Sequence, residues 1–80
     1  MKEPYPFGSH VIVRTGDRHE LNTAYLVDSS KVCGGGWRYR AVFPDVRGYP
    51  VAEAKVYSEE IETFLAVSED ETLRLLGLLR

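Results

Sequence analysis

A mainly-β fold, a small antiparallel barrel of about five strands followed by a C-terminal α-helix, is what these 80 residues predict. Three observations lead there. Gly34-Gly35-Gly36 runs into Trp37-Arg38-Tyr39-Arg40-Ala41-Val42-Phe43, where large apolar and charged residues alternate as they do along a half-buried strand. Other short runs rich in β-branched and aromatic residues recur between turn-forming clusters. After Ser68 the pattern changes to an acidic turn followed by closely spaced leucines, the signature of a helix.

In chain order, Pro4-Tyr5-Pro6-Phe7-Gly8 is an extended lead-in, because proline fixes φ and drives its predecessor toward extended backbone. Ser9-His10-Val11-Ile12-Val13-Arg14 is a first strand, ended by a turn over Thr15-Gly16-Asp17-Arg18-His19. Leu21 to Asp28 is a second, centred on Ala24-Tyr25-Leu26-Val27, with Asp28-Ser29-Ser30-Lys31 expected to close it. In the third, Trp37, Tyr39, Ala41 and Phe43 share the core face while Arg38 and Arg40 point away. Pro44 to Pro50 reads as a loop and Val51 to Tyr57 as a fourth strand. Ser58-Glu59-Glu60-Ile61 predicts one helical turn capped by Ser58, and Thr63 to Val67 a last strand. Ser68-Glu69-Asp70-Glu71 matches a capping box opening a helix from Glu69 to Arg80. Its leucines, 73, 75, 76, 78 and 79, exceed what so small a barrel is expected to cover, and Leu73, Leu76 and Leu79 are the expected interface of a homodimer.

The size allows one domain, with a barrel over 7–67 and a helix over 69–80; a domain this small buries only roughly 60 to 65 per cent of its unfolded surface, which also favours self-association. A lone cysteine, Cys33, forms no internal disulfide and fits a reducing, cytoplasmic setting. No stretch approaches the ~20 apolar residues of a membrane-spanning helix, so no membrane association is expected. The net charge of −2 lacks the basic excess of a nucleic-acid binder. The charge is unevenly divided: residues 1–49 carry seven Lys/Arg against five Asp/Glu, and residues 50–80 three against seven.

Phe7 to Val13, then Ala24 to Asp28, then Gly36 to Phe43, then Val56-Tyr57-Ser58-Glu59-Glu60-Ile61 resemble an SH3-like barrel of the Tudor or KOW sort over residues 7–67. The resemblance implies a short helical turn before the last strand and ligand recognition on aromatic-lined surfaces between loops. The terminal helix is an addition to that plan.

The chemical inventory points away from catalysis. His10, His19 and Cys33 are too few and scattered for a zinc spacing. The glycine run lacks the Lys-Ser/Thr ending of a phosphate loop and leads into a strand instead of a helix. Glu53, Glu59, Glu60 and Glu62 read as a solvated face, since paired-carboxylate chemistry needs a cleft larger than such a barrel encloses. No cofactor, metal or catalytic residue is expected. Aromatics are the richer signal, because Tyr and Trp are enriched where proteins grip partners. The expected function is a non-catalytic module that binds a protein or peptide through Tyr25, Arg38, Arg40, Tyr49 and Tyr57. Two other classes stay open. A KOW-like RNA binder would set Arg14, Arg38, Arg40 and Arg47 on phosphates. An oligomeric enzyme with an interface site would resemble the plasmid-borne dihydrofolate reductases, whose pore-lining Val-Gln-Ile-Tyr has only Ala54-Lys55-Val56-Tyr57 as a counterpart here.

Overall fold

A computed structural model describes residues 4–15 and 20–79. Of the turn expected over Thr15 to His19, Thr15 belongs to the first strand and Gly16 to His19 lie outside the described residues, as does Arg80; the helix expected to reach it ends at Leu78. Five strands are present: β1 (Ser9–Thr15), β2 (Glu20–Lys31), β3 (Trp37–Pro44), β4 (Pro50–Tyr57) and β5 (Ile61–Val67). A one-turn 3₁₀ helix (Ser58–Glu60) joins β4 to β5, and α1 (Glu69–Leu78) follows. All pairings are antiparallel, in the order β4-β3-β2-β1-β5. Among the described residues no pairing joins β4 to β5, so both are sheet edges and the barrel expected from sequence is not closed by hydrogen bonds there.

The first core forms on one face of the sheet. Val11 and Val13 of β1, Ala24 and Leu26 of β2, Tyr39 and Ala41 of β3, and Val56 of β4 are buried together, with Trp37, Phe43 and Ile61 partly buried against them. The alternation read from β3 is therefore the observed one, although Trp37 is half-buried at the rim.

A second core occupies the opposite face. Tyr25, Val27 and Val42 meet Leu75 of α1, with Leu76 packed alongside. Val42 lies between Arg40 and Phe43 in sequence yet is fully buried, because Tyr25 is its cross-strand partner and α1 covers both. Some of the helix leucines are covered by this chain's own sheet: Leu75 is buried and Leu76 half-buried, while Leu73, Leu78 and Leu79 are exposed.

Three local expectations need correction. First, β2 does not end at Asp28. A register shift between Leu26 and Asp28 leaves Val27 without a partner, and Ser29, Ser30 and Lys31 continue opposite Tyr39, Arg38 and Trp37. The polar run stays extended because β3 supplies its hydrogen-bond partners, which outweighs weak β propensity. Second, Ser58 does not cap the 3₁₀ turn; Tyr57 is the cap residue, and the Ser58 hydroxyl instead accepts the Trp37 N–H at 3.3 Å. Third, Ser68 is the N-cap of α1 but makes no side-chain cap bond, so the expected box is not formed. Its carbonyl takes both the N–H and hydroxyl of Thr72, at 3.1 and 2.8 Å, while Glu71 bonds Arg74.

Gly8 fixes where α1 begins. Its N–H donates to Leu26 O and its carbonyl accepts from Ser68 N–H, both at 2.8 Å. Its φ is +86°, and a Cβ would stand 3.0 Å from the Glu69 Cα, so both conformation and space require glycine. From the middle of α1, Arg74 donates to Gly48 O at 2.7 Å in the β3–β4 turn.

Leu75 pins the helix, so Leu75→Ala should lower unfolding free energy by about 2–5 kcal/mol, whereas exposed Leu73→Ala should change it little. Urea unfolding of both variants measures the contrast.

Candidate functional site

Of the five residues expected to bind a partner, the structure brings three together. Strand register sets Arg38 opposite Tyr57 and Arg40 opposite Lys55 across β3–β4, and Ser30 and Asp28 of β2 opposite the same two arginines. Directly opposed residues share a face, so these side chains form one polar platform beside the helix-covered patch. A depression of about 150 Å³ runs between Asp28, Ser30, Arg38, Arg40 and Lys55. That is well below the ~300 Å³ at which small-molecule pockets begin, so the platform suits surface contact with an extended ligand.

The two arginines are not equivalent. Arg40 is held between Asp28 at 3.0 Å and Glu53 at 3.6 Å. Its charge is largely spent on these neighbours, although such exposed pairs stabilise the fold by only ~0–1 kcal/mol. Arg38 and Lys55 have no carboxylate partner among the described residues. Tyr57, 39 % exposed, ends the platform, its N–H donating to the Glu60 carboxylate at 2.8 Å.

Tyr49 and Tyr25 lie elsewhere. Tyr49 is exposed in the β3–β4 turn, at the opposite end of β4 from Tyr57, with the Arg47 guanidinium 5.8 Å from its ring centre. Asp45 organises that turn: one carboxylate oxygen accepts the N–H groups of Arg47 at 2.8 Å and Tyr49 at 3.0 Å. Those bonds, the Tyr49 one foremost, hold its carboxyl below the usual range. Tyr25 is buried under α1, its ring stacked on His10 at 4.2 Å and 6°, which corrects its placement as an exposed contact residue. Its β2 position puts it opposite Val42, and the helix needs that surface.

A second aromatic group is not readable from the residue pattern. Tyr5 stacks on Phe64 of β5 with ring centres 5.5 Å apart, and its N–H donates to the Tyr39 hydroxyl at 3.1 Å. Tyr5, Phe7 and Phe64 are all at least partly exposed. Nothing in the residue pattern joins the lead-in to β5; only Phe64 following Glu62-Thr63 hints at a face. Of the proposed interface leucines, Leu73 and Leu79 are exposed and Leu76 is half-buried against the second core.

Among the described residues no three His, Cys, Asp or Glu side chains gather as a metal site, and no helix is long and apolar enough to cross a membrane. Cys33 is a free, exposed thiol. No known protein family, no curated protein and no solved structure matches this chain.

His10 gives the site's surroundings a pH dependence. Partial burial against Tyr25 lowers its pKa below the ordinary 6.5, outweighing the opposing pull of Glu71. The folded state therefore favours neutral His10, and the unfolded chain binds more protons just below pH 6.5. Stability should be fully present above that pH and fall on acidification through it. Melting temperatures between pH 7.5 and 5 should show this decline, and His10→Gln should flatten it while leaving the carboxylate-driven loss at lower pH.

Proposed function

We propose that this chain is a non-catalytic binding module built on an SH3-like plan, and that it recognises an acidic, extended peptide or protein segment. Its strand order and the 3₁₀ turn between β4 and β5 support the SH3-like reading. The observation that carries the function is the pairing of Arg38, which no carboxylate engages among the described residues, with exposed Tyr57 directly across the β3–β4 ladder. A guanidinium beside an aromatic ring offers a bidentate donor for a carboxylate and a flat surface for the neighbouring side chain. The shallow relief around it favours a ligand lying along the strands over one enclosed in a pocket. A peptide is preferred to RNA because the molecule is net acidic, with −2 overall, and its bound-up Arg40 leaves a sparse phosphate track. An exposed, unpaired Cys33 accords with a reducing, cytoplasmic location.

The charge arrangement yields two opposite expectations. Arg38→Ala should weaken binding of an acidic octapeptide by about tenfold, the worth of one charge-assisted bond. Asp28→Asn should tighten it several-fold by releasing Arg40, and both effects should shrink as salt rises. Titration of Glu-rich octapeptides, read by amide chemical shifts in β3 and β4, checks this, with an equally charged single-stranded RNA as the competing probe. Unchanged peptide affinity in Arg38→Ala, or stronger binding of the RNA, would remove the proposal.

A further inference from the structure

We propose that β4 is the seam of a homodimer: two copies pair their free β4 edges antiparallel about a two-fold axis at Ala54, so that Glu53 of each meets Lys55 of the other. β4 ends the strand order and, among the described residues, pairs only with β3; its residues 51 to 55 and Tyr57 are exposed. An exposed strand edge is a template for another strand, and charges on it usually block that pairing. Here the two charges have opposite sign and stand two residues apart, so they obstruct other registers and favour this one.

The register follows from symmetry. Directly opposed residues in antiparallel strands share a face, so a two-fold axis must fall at a residue. An axis at Glu53 or Lys55 would set like charges against each other. An axis at Ala54 sets Glu53 against Lys55 twice and Ala54 and Ala52 against small or apolar partners, while Val51 and Tyr57 come together at the two ends, where a register shift leaves Val51 without a β3 partner. Val51 is 64 % and Tyr57 39 % exposed, so that pair has apolar surface to bury. Contacts between α1 and β4 bring the helix to this strand. The other free edge, β5, has no such match. Self-pairing about Phe64 would set Glu62 against Ala66, which offers it no opposite charge.

The inference shares Tyr57 with the peptide-binding reading but needs neither Arg38 nor a ligand, so the two fail separately: loss of dimer in the Glu53 and Lys55 variants is read without peptide. Sedimentation equilibrium of the whole chain from about 1 μM to about 1 mM, the span of weak self-association, tests it. The parent should show a monomer–dimer equilibrium. Glu53→Lys and Lys55→Glu should each weaken it by about tenfold or more, because each places two like-charge pairs at the seam. The double exchange should restore it, and an equimolar mixture of the two single variants should associate more tightly than either alone. Lys55→Glu adds a carboxylate beside Arg40, so it carries the test even if Glu53→Lys, which crowds Arg40, loses its fold in thermal melts. A parent that stays monomeric throughout would overturn the proposal, as would single variants that dimerise as well as the parent.

Discussion

The outer half of this molecule depends on Leu75 covering Tyr25 and Val42. Those two residues oppose each other at the centre of the sheet, on the face away from the main core. Left bare, they would present an apolar patch to water in a domain too small to hide it elsewhere. The helix resolves this by docking across the sheet, tied at its start to Gly8 and at its middle, through Arg74, to the carbonyl of Gly48. Its position then decides which part of the outer face is left open to solvent. What remains is the polar stretch from Asp28 to Tyr57.

On that stretch, carboxylates govern how much positive charge is available. Arg38 and Arg40 look identical in sequence, two residues apart on one face. In space one is flanked by Asp28 and Glu53 and the other by Ser30 and Tyr57. The difference arises from β2, where the unpaired Val27 shifts the register and brings Asp28 onto the same face as Arg40. A backbone irregularity thus sets the electrostatic character of a surface one strand away.

The strands and helix were legible because period-two alternation and the acid-then-leucine pattern are local signals, carried by Trp37 to Phe43 and by Glu69 to Leu79. Ser29-Ser30-Lys31 misled because strand continuation there comes from pairing with β3, a non-local cause. Ser58 and Ser68 misled for a related reason: a hydroxyl near a helix start has several partners in reach, and the folded chain chose the Trp37 N–H for one and left the other uncapped. At the candidate site, Arg38, Arg40 and Tyr57 were recognisable as outward residues of adjoining strands. Tyr25 was not separable from them, because its burial is imposed by Leu75, fifty residues further on. The Tyr5–Phe64 stack was equally hidden, joining a proline-rich lead-in to the last strand.

Gly8 has a further consequence for how the chain reaches this state. The bond from Ser68 N–H to Gly8 O links opposite ends of the sheet-forming sequence, and the close approach at Glu69 leaves no slack for the helix to begin elsewhere. Contacts of such long sequence separation form late, since their loop must close before they contribute anything. During synthesis, Tyr25, Val27 and Val42 are all made well before Leu75, so the growing chain carries an uncovered apolar patch until its helix is released. Until then that patch is the part of the growing chain most open to aggregation.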